Sequence, residues 1–247
     1  MTTQKILQLN VWLGKIEGNL KRFLEQNDYD IICMQEVMFS GDTQEHMART
    51  CFDVAQIVAA SGMPHYFFSP EFSYRIADGT AEVGNLILSK TPFVETRSEF
   101  TSGEFLQNTV LSKEVQDAWN YQIAKLENGL VVVNHHGYWQ PDPLGNEDSV
   151  KSMQRVADAI LDLAEDSPLV MCGDLNIEYN SPAMRPLDFL TDLTHENQVD
   201  NTLSGLKYDG KVACDHILVN NRVEATDYVV RSEIVSDHFA VEATLKF

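Results

Sequence analysis

The chain has 247 residues, enough to bury a large core in one α/β domain or two small ones. Its hydrophobic share of 44% and charged share of 22% exclude a disordered or fibrous class. The 37 acidic residues outnumber 18 basic ones, for a formal charge of −19, and that field argues against long duplex nucleic acid as a partner.

The opening stretch MTTQKILQLNVW lacks the charged and apolar regions of a signal peptide, and no window approaches a membrane span, so a cytoplasmic protein is expected. No repeat or Gly/Ser linker divides the sequence, and residues 1–247 read as a single domain. Residues 5–11 (KILQLNV) read as a strand, and LKRFLEQN places apolar residues 20, 23 and 24 at helical spacing. DIICMQEV, residues 30–37, is apolar on both faces, as in a buried sheet. A helix is expected over 43–61, then a short strand at HYFFS. Strands follow at 83–90, 93–100, 119–126 and 130–136, with ENG at 127–129 as a hairpin turn.

Val150, Met153, Val156, Ala157, Ile160 and Leu161 form one stripe of a helix reaching about residue 165. SPLVMCGD is a strand and SPAMRPLDFL a short helix with Pro near its start; VACDHILVN, ATDYVVRS and FAVEATLKF close the chain as strands. Strands in hairpin-like succession with helices grouped between them indicate an α+β architecture of two stacked, mostly antiparallel sheets flanked by helices. Cys33, Cys51, Cys172 and Cys214 show no CxxC spacing, and three of them lie in apolar contexts, which favours buried free thiols and a reducing compartment.

Polar residues recur where the apolar runs end. Asn10 follows KILQL, Gln35 and Glu36 follow IICM, and Asn134, His135 and His136 follow LVVV. Asp174 and Asn176 follow PLVMCG, Asp215 and His216 precede ILVN, and Asp237 and His238 precede the last strand. Each alone reads as a cap, a turn or a satisfied core histidine. Six such termini in one chain read more economically as a polar cluster. Oxygen donors without cysteine suit a hard cation such as Mg²⁺ or Mn²⁺. Imidazoles beside carboxylates can be held protonated against a phosphoryl group, and an Asp beside an amide can orient a water. Together they describe hydrolysis of a phosphoester.

In order, LQLNVW, ICMQEV, GNLILSK, VVVNHHG, VMCGDLN, ACDHILV and SDHFAV resemble the successive motifs of the endonuclease/exonuclease/phosphatase superfamily. Its members include DNase I-like nucleases, neutral sphingomyelinases, inositol polyphosphate 5-phosphatases and deadenylases. The resemblance runs from Asn10 to Val241 and implies a four-layered α/β sandwich of the DNase I-like type. It implies Glu36 as main metal ligand, Asn10 as the amide beside metal and phosphate, and Asp237 as a second metal-side carboxylate. It further implies Asp174 as the water-orienting acid, Asn176 as its phosphate-binding companion, and Asp215 as the acid that positions His238. His136 rather than His135 fits the family's apolar-N-x-H pattern. Glu82 is implied as the partner that orients His136, and Asn85 as facing the cleft, with a turn role as the alternative for Asn85.

Two departures stand out. Trp12 replaces the Asp that repair enzymes carry two residues after the first Asn, and His216 replaces the Arg of the inositol-phosphatase CDR motif. Tyr138 and Trp139 could stack on a planar substrate group or pack their own loop down. His46, His65 and His195 read as structural. The substrates left open are a nucleic-acid end, a nucleotide, a phospholipid head group or another small phosphoester. The alternative is a non-catalytic interaction protein on the same scaffold.

Overall fold

A computed structural model describes residues 1–40, 52–76, 79–109, 118–164 and 166–247. Thirteen strands are named β1 (Thr3–Asn10), β2 (Ile31–Phe39), β3 (His65–Ile76), β4 (Gly79–Ser89), β5 (Phe93–Ser102), β6 (Leu106–Thr109) and β7 (Trp119–Leu126), then β8 (Val131–His136), β9 (Leu169–Asp174), β10 (Thr191–Asp192), β11 (Asp215–Val219), β12 (Glu224–Val230) and β13 (Val241–Lys246). Among the described residues the α-helices are α1 (Glu17–Gln26), α2 (Val54–Ser61), α3 (Glu147–Leu163) and α4 (Leu193–Glu196). The strands form a 7-stranded sheet, ordered β12-β13-β1-β2-β4-β3-β6, and a 6-stranded sheet, ordered β10-β11-β9-β8-β7-β5. Pairing is antiparallel except at β1–β2, β3–β6 and β8–β9.

Strand side chains alternate between faces, and here both faces are apolar. In β1 and β2, Ile6, Ile31 and Cys33 enter the layer between the sheets, where they meet Val132, Val170, Cys172 and Ile217. Their neighbours Leu7, Leu9, Ile32 and Met34 point outward and pack with Leu20, Phe23 and Leu24 of α1 and Ile57 of α2. On the other sheet, Val131, Val133, Leu169 and Met171 pack with Met153, Val156, Ala157 and Ile160 of α3. Helix, sheet, sheet and helix make the four-layered sandwich, and the runs that are apolar on both faces follow from it.

Several expectations change. The helix expected over 43–61 begins, among the described residues, at Val54, because Asp53 caps it by accepting from Gln56 N; residues 43–51 lie outside the described residues. HYFFS is the first part of a 12-residue strand that continues past Pro70 through a bulge. SPAMRPLDFL forms only a 3₁₀ turn, Pro182–Leu187, since a second proline, Pro186, removes a donor inside it. Val150 and Leu161 of α3 are exposed, and Ser149 and Ser152 take the buried positions. The short elements β6, β10 and α4 carry no periodicity that would announce them. Cys33, Cys172 and Cys214 are free and buried, and Cys51 lies outside the described residues. No helix among the described residues is long and apolar enough to cross a membrane.

Candidate active site

The layer between the sheets changes character along its length. Ile6 is followed on the same face of β1 by Gln8 and Asn10, Cys33 on β2 by Gln35, and Val132 on β8 by Asn134 and His136. Cys172 on β9 is followed by Asp174, while on β11, running the other way, Asp215 precedes Ile217. The period of two therefore carries the polar residues to one end of the gap. Their floor is an amide ladder. Gln8 and Gln35 exchange hydrogen bonds of 2.6 and 2.9 Å, Gln35 Nε2 donates to Asn134 Oδ1 (2.6 Å), and Gln8 Nε2 donates to Asp215 Oδ1 (3.3 Å). Buried amides satisfied by each other keep this end of the gap ordered without apolar filling.

Asp174 is the hub. Its Oδ2 accepts from Asn10 Nδ2 at 2.9 Å, and it lies 3.7 Å from His238 Nε2 and 3.9 Å from His136 Nε2. Each imidazole is backed by a second carboxylate: Asp215 Oδ2 stands 2.8 Å from His238 Nδ1, and Glu71 Oε2 3.4 Å from His136 Nδ1. Burial pushes the His238 imidazolium towards neutrality, but Asp215 and then Asp174 outweigh it, leaving its pKa well above the ordinary value. The Asp215 carboxyl is raised by burial and lowered further by His238, with a net depression. For His136 burial again opposes the charge, while Glu71, Asp174 and Glu36 raise its pKa overall. Both rings favour the imidazolium.

His135 faces the other way. Its Nδ1 lies 2.9 Å from Asn120 O and its Nε2 3.5 Å from Ser152 Oγ on α3. Burial lowers its pKa to about 4, so this ring is neutral.

Glu36 reaches the site through a bulge. The register between β2 and β4 shifts between Met34 and Val37, and Glu36 has φ of 53°. Without that shift Glu36 would point outward with Ile32 and Met34; the bulge turns it towards Asn10, whose Nδ2 donates to Glu36 Oε1 at 3.1 Å. Asn10 Oδ1 meanwhile accepts from Trp12 N at 3.0 Å, so Trp12 serves the backbone turn after β1 and leaves no acid at its position. Asp237 is buried beside them. Burial raises its carboxyl above the ordinary value; His238 pulls it back, Glu36 pushes it up again and Lys207 lowers it.

Glu36 and Asp237 offer oxygen donors only, and the mutual repulsion of the two carboxylates is what a hard divalent cation would relieve; Asn10, expected among the ligands, turns its amide hydrogens towards Glu36 and Asp174 and its oxygen to Trp12 N. Asp174, Cys214 and His238 also bring ligand atoms within 4.8 Å of one another. Cys214 is held a protonated thiol by burial, with Asp174 and Asp215 adding to the effect, and its soft sulfur suits Mg²⁺ or Mn²⁺ poorly. The Glu36 set is the better fit.

Asn176 has φ of 55°, its N–H bonds Asp174 Oδ1 at 3.1 Å, and its Nδ2 donates to Gly137 O at 2.9 Å. His216 faces away from the gap. Its ring nitrogens lie 2.9 Å from Asp192 Oδ2 and 2.9 Å from Ile177 O, two acceptors that call for the doubly protonated ring. It thus ties the GDLN loop to the residue that caps α4.

The sequence reading missed Glu71 and assigned its place to Glu82. Glu71 is the extra residue of the β3 bulge between Pro70 and Phe72, and Asn85 Nδ2 donates to its Oε1 at 3.2 Å. The one signal in the sequence was an acid among aromatics, in HYFFSPEFSY; the structure leaves it 2% exposed. Trp119 was also missed as a site residue; its ring stands edge-on to His136, centroids 4.4 Å apart at 87°. With Leu13, Glu36, Glu71, Phe72 and Val83 it lines a small cavity of about 30 Å³ beside His136. Trp139 is exposed on the loop after β8. His195 stacks on Tyr179 and His65 meets Phe93 edge-on; His46 lies outside the described residues.

Comparison with known proteins matches residues 7–238 to the model of the Endonuclease/Exonuclease/phosphatase family. Among curated protein sequences none matches significantly. Solved structures resemble the chain in fold. An endonuclease/exonuclease/phosphatase from Beutenbergia cavernae gives a TM-score of 0.72 at 16% identity, covering 100% of this chain and 72% of that one. The human Nocturnin catalytic domain with bound sulfate gives 0.72 at 13% identity over 99% and 94% of the two chains. A Bacteroides thetaiotaomicron mannosyl-6-phosphatase gives 0.68 at 17% identity over 99% and 100%. With the family model matched across nearly its whole length, the chain belongs to the endonuclease/exonuclease/phosphatase family.

Proposed function

We propose that this protein is a Mg²⁺- or Mn²⁺-dependent phosphoester hydrolase acting on a small ester rather than on long duplex DNA. The observation that carries the reading is the convergence of two charged imidazoles on Asp174 Oδ2, His136 backed by Glu71 and His238 by Asp215. Family members hydrolyse phosphoester bonds, which fits this arrangement.

Asp174 orients the attacking water and takes up its proton. Asn10 and the Asn176 backbone fix the carboxylate, so the water meets a preorganised acceptor. Asn176 spends one amide hydrogen on Gly137 O and keeps the other for a phosphoryl oxygen. The His238 and His136 imidazolium groups stabilise negative charge as it builds on the phosphoryl oxygens, and Asp215 and Glu71 keep them charged and oriented. Glu36 and Asp237 would hold the metal ion, which when bound supplies Lewis-acid charge at the phosphoryl group, with Asn10 steadying the Glu36 carboxylate. The formal charge of −19 supports a small substrate, since a polyanion is repelled over its whole length.

The test uses purified protein with p-nitrophenyl phosphate and bis-p-nitrophenyl phosphate. Activity should need Mg²⁺ or Mn²⁺, and Glu36→Gln should lower turnover by roughly two orders of magnitude with the fold intact. Full activity in EDTA contradicts the proposal.

A further inference from the structure

One cation at the site has no place in this scheme. Lys207 lies on the segment joining α4 to β11, three residues beyond Ser204. Ser204 N donates to Asp237 O at 2.8 Å and its Oγ to Ser236 O at 2.8 Å, stapling the segment to the turn that carries Asp237 and His238. From there the Lys207 ammonium reaches to 3.7 Å from Asp237 Oδ2 and lies 4.9 Å from the centroid of the Tyr208 ring. Burial of the side chain opposes its charge, but Tyr208, Glu36 and Asp237 raise its pKa overall. At 39% exposed, it keeps a path to solvent and to whatever approaches from there.

The charge balance says what such a group is for. Glu36, Glu71, Asp174, Asp215 and Asp237 meet in a space where two imidazoles supply the positive charge. A phosphodiester brings one negative charge, whereas a phosphomonoester near neutral pH brings close to two and leaves more terminal oxygens open to hydrogen bonding. Both imidazoles already have carboxylate partners. Lys207 stands on the flank of Asp237, with a flexible stem and three rotatable donors.

We propose that Lys207 is the resident counter-cation of the Asp237 carboxylate, yields it to the divalent ion, and then selects phosphomonoester dianions over diesters. The inference rests on the proposed metal-dependent hydrolysis and adds its substrate class. Two opposite effects follow from one substitution. Lys207→Met removes a positive charge that competes with the metal, so the ion should bind more tightly; it also removes a contact to substrate, so the monoester should bind less well.

The experiment measures Mn²⁺ affinity by electron paramagnetic resonance, and KM and kcat for p-nitrophenyl phosphate and its bis ester, on the full chain. Lys207→Met should tighten Mn²⁺ binding about three- to tenfold. It should raise KM for the monoester about tenfold and that for the diester by less than about threefold. Lys207→Arg should restore both towards wild type. Lys211→Met makes the same charge change on the same segment, where Lys211 is 72% exposed and pairs with Asp200, and should move neither quantity. Unchanged Mn²⁺ affinity and monoester KM in Lys207→Met overturn the inference, as does tighter Mn²⁺ binding with monoester KM unmoved. Failure of the wild type to bind Mn²⁺ or to hydrolyse either ester removes the underlying reading and this one with it.

Discussion

At the scale of single residues, the pairing of Glu71 with His136 does most to separate this site from a generic polar cluster. Burial holds the Glu71 carboxyl above its ordinary range, with His136 pulling it back, and Glu71 in turn leads the groups that raise His136. If His136 acts as a cation, activity falls on the alkaline side as its proton leaves. Glu71→Gln removes the largest raising influence, so His136 should lose its proton at lower pH. The alkaline limb of the kcat/KM profile should then shift to lower pH, while the acid limb stays in place. An unmoved alkaline limb would show that His136 does not set it. Glu71 was not legible as a site residue, because HYFFSPEFSY offers an acid at a position where simple alternation breaks. Asn10, Asp174 and Asp215 were legible because they end apolar runs whose alternation continues unbroken into the site.

At the scale of elements, two bulges deliver the two carboxylates that alternation alone would misplace. Gly84 of β4 is the shared opposite residue, paired with Val37 beyond the β2 bulge and with Pro70 at the β3 bulge. A Cβ on Gly84 would stand 2.0 Å from Ser69 O, so only glycine allows the strands to approach there. Gly84→Ala should cost about 1–3 kcal/mol of stability through overpacking. It should also lower activity by more than that loss explains, because both Glu36 and Glu71 shift with their strands. Gly18→Ala in α1, where a Cβ meets nothing within 4 Å, should be neutral or slightly stabilising. Thermal melts and turnover of the two variants check this; equal effects would separate the bulges from the site. Bulges depend on partner strands distant in sequence, and for that reason a reading of local pattern places the strands and misses the register shifts within them.

At the scale of the whole molecule, the sandwich makes one gap do two jobs. Its middle is sealed by Ile6, Cys33, Val132, Val170 and Ile217, and its polar end brings residues 10, 36, 71, 136, 174, 215, 237 and 238 together from both sheets. The stacked sheets were legible from strands in hairpin-like succession with helices grouped between them, while the four layers followed from the family resemblance. The proposed hydrolysis makes Asp174, at the end of β9, and His238, in the turn before β13, one catalytic unit. The most direct test measures kcat/KM for Asp174→Asn, His238→Ala and their combination on a small phosphoester with Mg²⁺, with melts to confirm folding. Each single change should cost roughly two or more orders of magnitude, and the double variant should be little worse than the weaker single one. Losses that multiply, or near-normal activity in either single variant, would contradict the account.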